Sequence, residues 1–516
     1  MRLIVVHYHL RPGGIRRIIE QALPAVCSTL RPKVGRITLL TGEATEPAWL
    51  ERLRQSSGGI LIDVIVEPAA GYLAGQHLSP AVIRRRIRNA LKPLVASPAF
   101  LWAHNLGIAR NILLSDEITR AARNPKIRLI SHHHDLWFDN RWIRRPEMKR
   151  AGFTSMSEIA DAIFPTGRNI HHLAINGADH RVLDDHLGKQ AAWMPNLALR
   201  PRTPSKVETA SARGWLRKEF NHSDDPVWLL PCRLLRRKNV AEALLLARWL
   251  SPDAWLATTG TASSDDETRY HDRLDAAARK HGWKLKLGIL GGDPLSKPSV
   301  AHLMSAAEAV LFTSIQEGFG LPYLEATHSR RPLICRRLPN ISPDLETLGF
   351  RFPHSYDEIL VPASLFQHRR ELVRQRRVFE AWRAQMPANI RRTVGPPWLL
   401  ANPEADAVPF SRLTLTAQLE LLAQPPDESW QACAPQNPFL ANWRDRAAGG
   451  TLRKTAWPAK ADRYLGPAAY ARRFAKAVSE QSRQKPMALP VDVQSAFMKA
   501  KLHGEFLYPL LMQLDS

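Results

Sequence analysis

The amino-acid sequence predicts an α/β protein built from two parallel-sheet units and a mostly helical C-terminal extension. Short apolar runs alternate with longer amphipathic stretches, and this pattern restarts after a proline- and arginine-rich segment at residues 195–204. Beyond about residue 400 the strand signal fades. A chain of 516 residues is long enough for two or three domains. We therefore expect two α/β domains at residues 1–198 and 199–405, and a crossover helix with an extension of unknown role at 406–516.

Ten short apolar runs are the predicted strands of the two sheets. In the first unit they are residues 3–7, 36–40, 60–66, 100–103 and 127–131, and in the second 227–232, 254–259, 284–290, 309–313 and 333–335. Open α/β sheets bind ligands at the carboxyl ends of their strands. Polar motifs that follow these runs are therefore the first places to look for function.

Composition and charge restrict the class of protein. The chain is 45% hydrophobic and 23% charged, which is typical of globular proteins. No apolar run approaches the roughly 18–20 residues of a membrane-spanning helix, and the N-terminal run is too short for a secretory signal. The four cysteines lack metal-ligand spacing and are expected to be buried thiols. We therefore expect a cytoplasmic protein.

The formal net charge of +24 favours an anionic partner. No zinc-finger spacing, basic-region heptads or aromatic RNA-binding signature is present, so nucleic acid is not expected. Arginines concentrate in two apparent helices at residues 84–88 and 369–377. A solvated basic face explains both helices most simply. Docking on an anionic membrane or on nucleic acid is the alternative for these helices, and membrane docking leaves open a peripheral position at the inner membrane face.

The most informative segment is residues 309–326, where a buried strand runs into a two-glycine turn and a helix starts near Pro322. Free N–H groups at a helix start bind anions, and glycines let a ligand approach the backbone. Glu317 and Glu325 flank this anion site and can accept hydrogen bonds from hydroxyls. The pattern suits a ligand with a central diphosphate and a sugar at either end. The alternative is an ordinary strand–turn–helix with surface glutamates.

This segment resembles the signature of retaining GT-B glycosyltransferases of the group 1, or family 4-like, type, in which seven residues separate two glutamates around Gly-Phe-Gly-Leu-Pro. The resemblance implies two Rossmann-like domains facing a central cleft. It also implies that Glu317 and the following backbone hold the donor sugar, and that Glu325 holds the ribose hydroxyls. The backbone positions concerned are Gly318, Phe319, Gly320 and Leu321. The resemblance covers residues 1 to about 350 and is absent from about 425 onward.

A second motif follows the first strand of the second unit. Arg233 and Lys238, five residues apart, resemble the family's pair that neutralises the donor diphosphate. Arginine offers a planar fork and lysine a point charge. Because negative charge develops on the leaving diphosphate, fixed cations stabilise the transition state. Arg236 and Arg237 are expected to face solvent.

The first unit supplies a glycine turn, Gly13-Gly14, after its first strand. A Gly-Gly turn alone is weak evidence, because many strand–helix corners use one. The family places its glycine-rich loop here, where it reaches the donor phosphate. Arg16, on the helix that follows, is expected to add charge near the acceptor.

Three consecutive histidines, residues 132–134, end another strand of the first unit. Alternate side chains of a strand face opposite ways, and no carboxylate or cysteine set completes a cage, so no metal site is expected. The family commonly has a histidine here that contacts the transferred sugar. His134 with Asp135 fits best, and His133 is the alternate.

The acceptor is expected to meet further polar residues at the ends of the same strands. Besides Arg16, His133 and Asp135, these are His104, Asn105, Asp139 and Arg141.

The resemblance implies a retaining, metal-independent transfer of a hexose without a cofactor. Its donor would be a nucleotide diphosphate sugar of the GDP-mannose or UDP-glucose type, and its acceptor a hydroxyl of a sugar, glycoside or lipid-linked glycan. The predicted catalytic residues are Glu317, His134, Arg233 and Lys238. Epimerases and glycan phosphorylases use similar units, but Glu317 with Glu325 favours transfer. The non-enzyme alternative is a basic membrane- or nucleic-acid-binding protein on a degenerate glycosyltransferase scaffold.

Overall fold

The computed structural model describes residues 1–30, 34–139, 141–200, 202–262, 264–292, 297–479 and 488–512. The chain divides into two compact units. Unit 1 comprises Met1–Leu199 and Lys460–Lys501, and unit 2 comprises Arg200–Ala459 and Leu502–Ser516. Each unit contains one parallel sheet with its own apolar core.

The sheet of unit 1 has seven parallel strands in the order β3-β2-β1-β4-β5-β6-β7. The five predicted strands of this unit are confirmed as β1 to β5, and two more follow. Their bounds are β1 Arg2–Val6, β2 Arg36–Thr41, β3 Leu61–Val66, β4 Ala99–His104, β5 Ile127–His133, β6 Ile170–Ala174 and β7 Ala191–Trp193. Central strands such as β4 are buried throughout, as expected for a sheet that is covered on both faces.

Within the described part of this unit, seven helices connect these strands. They are α1 Gly14–Leu30, α2 Pro47–Ser56, α3 Pro80–Leu91, α4 Ile112–Ala121, α5 Arg145–Arg150, α6 Met156–Ile163 and α7 Gly177–Leu187. In α1 an apolar stripe that includes Ile19, Leu23 and Val26 is buried in the core, which is the helical period expected of a helix packed on a sheet.

Unit 2 repeats the plan with six parallel strands in the order β10-β9-β8-β11-β12-β13, and a two-stranded antiparallel ribbon of β14 and β15. All five predicted strands of this unit are confirmed as β8 to β12. The bounds are β8 Val227–Leu230, β9 Trp255–Thr258, β10 Leu285–Lys286, β11 Ala309–Phe312, β12 Leu333–Arg336, β13 His354–Tyr356, β14 Leu360–Pro362 and β15 Ala407–Pro409.

Twelve helices belong to this part of the chain within the described residues. They are α8 Lys206–Glu219, α9 Val240–Leu250, α10 Asp265–His281, α11 Val300–Ala306, α12 Leu321–His328, α13 Ser342–Thr347, α14 His368–Arg383, α15 Ala388–Arg391, α16 Trp398–Ala401, α17 Leu415–Leu422, α18 Pro426–Cys433 and α19 Pro438–Ala448. Helix α9 is almost entirely buried, since its face toward the sheet and its opposite face are both covered.

The C-terminal extension is mostly helical, as predicted, and both units use it. Its last helices are α20 Ala459–Leu465, α21 Pro467–Ser479, α22 Pro490–Lys501 and α23 Pro509–Met512. Tyr470 and Phe474 of α21 are buried in the core of unit 1, where the Phe474 ring centroid lies 4.7 Å from that of Trp102. Tyr508 and Leu510 belong to the core of unit 2.

In both sheets the order in which the chain adds strands reverses after the third strand. In unit 1 the chain builds outward from β1 to β3 and then continues on the other side with β4, and in unit 2 the same reversal separates β8 from β11. Such a switch point leaves a crevice at the carboxyl ends of the two central strands, where open α/β sheets bind ligands. The loops after β1, β4, β8 and β11 are therefore the ones that matter for function.

Membrane insertion finds no support in the described helices, since none of them is both long and apolar enough to cross a bilayer. The basic helix α3 is largely neutralised by its own unit. Arg84 pairs with Asp116, Arg86 with Glu67 at 2.9 Å, and Arg88 with Glu117 at 3.0 Å.

Candidate active site

The loops that follow β8 and β11 in unit 2 are joined by backbone and side-chain hydrogen bonds. The Ile315 N–H donates to the Arg237 carbonyl at 2.9 Å. The Thr313 hydroxyl lies 2.9 Å from the Lys238 carbonyl oxygen and 3.1 Å from that of Asn239. The two strongest motifs of the sequence are thus held together at the switch point of this sheet.

Glu317 lies at the centre of this junction, between two cations. Its Oε1 is 2.6 Å from the Lys238 Nζ, and its Oε2 is 2.5 Å from the Arg237 Nη1. Burial by itself raises the pKa of Glu317, but the nearby Arg237 and Lys238 outweigh burial and hold it at about 2. Glu317 is therefore ionised at neutral pH, and a carboxylate with two cations is fixed in a largely buried position.

The prediction that Arg236 and Arg237 face solvent is wrong. Arg236 is buried, and its backbone N–H donates to Glu267 at 2.9 Å. Arg237 binds Glu317 and also donates to the Gln316 carbonyl at 3.0 Å. Residues Arg236–Lys238 form a turn of 3-10 helix, which points successive side chains about 120° apart. A run of basic letters does not reveal which of them points inward. Arg233 is the exposed member of the motif.

The glycine turn before α12 has the geometry that its sequence predicts. Gly320 has φ +80°, and a Cβ there would lie 2.7 Å from the Tyr323 ring. Leu321 then begins α12 after Gly318, Phe319 and Gly320. The free N–H groups of the first helical turn therefore lie next to this glycine turn. The Asn340 amide donates to the Glu317 carbonyl at 2.8 Å and helps to fix the turn. Glu325, in the second turn of α12, is half-buried.

A buried ion pair stabilises the loop that contains Lys238. Arg336 and Glu242, exposed by 1% and 0%, have a nitrogen–oxygen separation of 2.6 Å. The Asn239 amide donates to Glu242 at 2.8 Å, and Asn239 itself has the left-handed φ of +49°. The Tyr356 hydroxyl also donates to Glu242, at 2.5 Å. The network thus holds in place the residue that directly follows Lys238.

Gly260 supports the Arg233 loop, a role that the sequence did not reveal. A Cβ on Gly260 would lie 3.1 Å from the Arg233 Cα, and its N–H donates to the Cys232 carbonyl at 2.8 Å. The sequence feature that could have indicated this role is the position of Gly260 just after the neighbouring strand β9, because a glycine there indicates close approach of two backbones.

In unit 1, Gly13 and Gly14 lie exposed at the start of α1. Neither has a positive φ, and a Cβ on Gly14 would meet nothing within 4 Å. The fold of this unit therefore does not require glycine at either position. Arg16 is buried, pairs with Glu46 at 2.7 Å and lies over the Trp49 ring at 4.9 Å. Its predicted contact with an acceptor stays a prediction.

The three consecutive histidines at the end of β5 alternate between the two faces of the sheet, but they do not stay apart from other histidines. His133 turns to one face, where it lies 2.9 Å from His172. His132 and His134 turn to the other face and meet His104 of the adjacent strand β4, so that one nitrogen of each lies within 4.8 Å of the others. The third member comes from a neighbouring strand, and this is why the sequence did not reveal the cluster.

The three clustered histidines are uncharged at neutral pH. Burial lowers the pKa of all three, that of His134 to about 4 in spite of Asp135. Neutral imidazoles can ligate a transition metal. They can also form hydrogen bonds with one another, and the distance of 3.2 Å between His104 Nδ1 and His134 Nε2 allows one. These three residues are the ones in the described chain that could hold a metal ion.

The other predicted acceptor residues lie in the loops after β4 and β5. The Asn105 side-chain oxygen accepts the N–H groups of His134 at 3.3 Å and Asp135 at 2.9 Å. Asp139 is half-buried, and the desolvation of its carboxyl raises its pKa to about 6. Arg141 lies 3.8 Å from Asp135. Lys501, which pairs with Asp179 at 2.7 Å, lies close enough to influence Asp139 and was not foreseen, because it reaches this loop from the C-terminal extension.

Two parallel Rossmann-like sheets with polar loops at their switch points define the GT-B class of fold. The family described as Glycosyl transferases group 1 matches residues 213–349, which include Arg233, Lys238, Glu317 and Glu325.

Two curated relatives align with a larger part of the chain. Mannosylglucosyl-3-phosphoglycerate synthase of Petrotoga mobilis is 22% identical over 374 residues, which cover 70% of this chain and 69% of the relative. Mannosylglucosylglycerate synthase of Thermotoga maritima is 25% identical over 275 residues, 49% of this chain and 60% of the relative. The family match and the names of these relatives support a glycosyltransferase enzyme.

Two solved structures with a similar chain trace cover most of this chain. A structure of Anabaena HepE in complex with UDP-glucose is 14% identical and covers 87% of this chain and 98% of its own, with a TM-score of 0.46. A glycosyltransferase from Rickettsia africae is 11% identical and covers 94% of this chain and 99% of its own, with a TM-score of 0.48.

Proposed function

We propose that this protein is a retaining hexosyltransferase that needs no metal ion or other cofactor. The acceptor hydroxyl oxygen forms a bond to the anomeric carbon on the face from which the diphosphate departs. The bond between that carbon and the β-phosphate oxygen breaks, and the diphosphate leaves with the electron pair. The hydroxyl proton passes to an oxygen of the leaving phosphate. The chain's own residues position the two substrates and stabilise the departing charge.

The arrangement of Lys238, Arg237 and Glu317 carries this proposal. Two cations face one carboxylate, so the three groups together keep one net positive charge beside the start of α12. A diphosphate that binds at these cations and at the first N–H groups of the helix would find its charge offset without a metal ion. Glu317, kept ionised, would accept hydrogen bonds from donor-sugar hydroxyls. Arg233, which is exposed on the same loop, would add a third cation, and Glu325 would hold the ribose.

The donor and acceptor classes are supported by the names of the curated relatives. Those names describe products that join mannosyl and glucosyl groups to glycerate or 3-phosphoglycerate. We propose a donor of the GDP-mannose or UDP-glucose type and an acceptor that is a sugar or glycoside. In unit 1 the neutral His134 would contact the transferred sugar, and Gly13 and Gly14 would let the donor phosphate approach.

A thermal-shift screen with GDP, UDP and ADP, followed by assays of donor hydrolysis and transfer, tests the proposal. We expect one nucleotide to raise the melting temperature of the wild type, and Lys238→Met to lose this response. Lys280→Met, on the exposed surface of α10, is the matched control and should respond as the wild type does. NMR of the product should show the anomeric configuration of the donor. An inverted product would refute retention.

Metal independence is tested separately, because the cluster of His104, His132 and His134 could bind a metal ion. Enzyme freed of metal with EDTA should transfer at its full rate. A loss of activity that Zn²⁺ restores would contradict this part of the proposal, and His132→Ala would then show whether the cluster is the metal site.

The non-enzyme alternative predicts salt-sensitive binding of polyanions or anionic vesicles without a nucleotide response. The ion pairs of α3 leave less free positive charge on that helix than its sequence suggested. The exposed arginines of α14 keep vesicle binding worth measuring, by flotation with acidic lipid at low and high salt. They are Arg369, Arg370, Arg376 and Arg377.

A further inference from the structure

Arg144 of unit 1 is a buried arginine without a carboxylate partner. Its side chain is 7% exposed and one guanidinium nitrogen donates to the Ile108 carbonyl at 2.6 Å, but no acidic side chain of the described residues forms an ion pair with it. Three other buried arginines each pair with a glutamate, namely Arg16, Arg336 and Arg412. Because a buried charge is costly unless it is paired, the missing partner of Arg144 requires an explanation.

Two further arginines increase the positive charge around Arg144. Burial first, and then the charges of Arg141 and Arg110, lower the pKa of Arg144 to about 9. Arg110 lies over the Tyr72 ring, with its Cζ 4.8 Å from the ring centroid, and its Nε is buried without a hydrogen-bond partner in the described structure. Arg141 donates to the Leu136 carbonyl at 3.1 Å.

The acidic groups nearby do not neutralise this cluster. Asp135 lies 3.8 Å from Arg141, at the outer limit of an ion pair. Glu147 is near enough for Arg144 and Arg110 to affect it, yet burial raises its pKa, and it forms no ion pair with either arginine in the described structure. Three guanidinium groups therefore share one weak acidic contact.

The three arginines lie in loops at the carboxyl ends of β4 and β5, beside the switch point of the sheet of unit 1. Arg110 follows β4, and Arg141 and Arg144 follow β5. The loops are tied together, since Asn105 accepts the Asp135 N–H and the Trp137 N–H donates to the Gly107 carbonyl at 2.8 Å. The cluster therefore belongs to the same group of loops as His134, which we place at the transferred sugar.

We propose that Arg110, Arg141 and Arg144 form a subsite for the carboxylate or phosphate of an acidic acceptor. This inference rests on the proposed function and narrows it, since a neutral sugar would leave the cluster without a counter-ion. Guanidinium forks match the planar carboxylate and the phosphate oxygens, and the flat Tyr72 ring holds one fork in place.

The same arrangement predicts a cost in stability when no anion is bound. Three like charges repel one another in a partly buried place, and proteins often keep such strained groups where binding requires them. Removing one charge should therefore not destabilise the ligand-free protein. This distinguishes a binding role from a structural one, because loss of a structural arginine would lower the melting temperature.

The experiment measures binding of three matched probes by calorimetry and thermal shift at constant ionic strength. The probes are 3-phosphoglycerate, glycerate and glycerol, which share a three-carbon frame and differ in charge. We expect affinity to fall in that order, with glycerol undetectable. Arg144→Met should raise the Kd for 3-phosphoglycerate by about tenfold or more, while its ligand-free melting temperature equals or exceeds that of the wild type. Arg123→Met, on the exposed turn after α4, is the control.

A second variant, Arg110→Met, and a parallel measurement of nucleotide binding complete the experiment. If Arg144→Met does not fold, Arg110→Met carries the test, because Arg110 is only half-buried. Equal affinity of wild type and variant for 3-phosphoglycerate, or equal responses to glycerol and glycerate, would overturn the subsite. Nucleotide binding by the wild type is measured alongside. Anion binding without any nucleotide response would overturn the proposed function and leave the subsite intact, whereas the reverse result would overturn the subsite alone.

Discussion

The Lys238 ammonium lies 2.6 Å from one oxygen of Glu317, although 79 positions separate the two residues in the chain. Arg237 occupies the other oxygen of the same carboxylate. The three groups form a small charged assembly whose parts come from the loops after β8 and β11. Each part has a different proposed function, because we place the cations at the donor diphosphate and the carboxylate at the sugar hydroxyls. Substitutions at the two ends of this contact should therefore fail in different ways.

Glu317→Gln should abolish most transfer without weakening nucleotide binding. The change removes the negative charge between two cations, so a nucleoside diphosphate should bind as tightly as before or more tightly. We expect kcat to fall by about 10²–10³-fold, since a fixed charge that acts in the transition state contributes on this scale. Steady-state kinetics and calorimetry with the responding nucleotide measure both effects. Weaker nucleotide binding in this variant would contradict the division of roles.

Arg237→Met should lower both nucleotide affinity and kcat/KM by about tenfold or more, because it removes a cation that contacts Glu317. The expectation from sequence, a solvent-facing arginine, predicts no change instead. Lys280→Met again serves as the exposed control. Wild-type kinetics in Arg237→Met would mean that the contact with Glu317 has no role in donor binding.

Gly14→Ala and Gly320→Ala should separate glycines needed for a ligand from glycines needed for the fold. Gly320 has φ +80°, and its Cβ would meet Tyr323, so alanine there should cost about 1–3 kcal/mol of stability. Gly14 has open space and no positive φ, so alanine there should leave stability unchanged or slightly raised. If the Gly13-Gly14 turn approaches the donor phosphate, Gly14→Ala should still reduce kcat/KM. Thermal unfolding and kinetics on both variants check this, and full activity of Gly14→Ala would remove the turn from the donor site.

Glu242→Ala should destabilise the protein and also impair catalysis. It would remove one of the two glutamates that pair with the buried Arg336, leaving Glu358, and release the Asn239 side chain next to Lys238, at a cost of about 3 kcal/mol. The exposed pair of Arg337 and Glu346, 3.1 Å apart, provides the comparison. Arg337→Ala should cost less than about 1 kcal/mol. Urea unfolding of both variants measures the two losses of unfolding free energy. Equal losses would show that the buried ion pair stabilises the protein no more than the exposed pair does.

The sequence predicted the sheets well and the details of the sites less well, for physical reasons. Ten strands were visible because buried parallel strands are continuous apolar runs. Strand β6, Ile170–Ala174, contains two histidines and was missed. The return of Tyr470 and Phe474 to the core of unit 1 depends on contacts far apart in the chain, which local patterns do not encode. The burial of Arg144 without a partner was hidden for the same reason.

Lower pH should weaken the folded state through buried neutral histidines in both units. Burial lowers the pKa of His172 to about 4, although the Pro165 carbonyl opposes the shift, and burial with Arg446 and Arg453 lowers that of His354 to about 4. The unfolded chain binds these protons below its ordinary pKa of about 6.5, whereas the folded chain does so only near 4. Stability is therefore complete above pH 6.5 and falls as the pH drops toward 4, by about 2 kcal/mol per histidine at pH 5.

The His354 contribution can be measured separately. Its Nε2 accepts the Arg453 N–H at 2.8 Å, so protonation would remove that hydrogen bond. In urea unfolding between pH 7.5 and 5, His354→Gln should keep an acceptor for this N–H and lose less stability on acidification than the wild type. The exposed His222 provides the control, because His222→Gln should follow the wild-type curve. Identical pH dependence of His354→Gln and wild type would show that His354 does not contribute, and a wild-type stability independent of pH in this range would contradict the prediction as a whole.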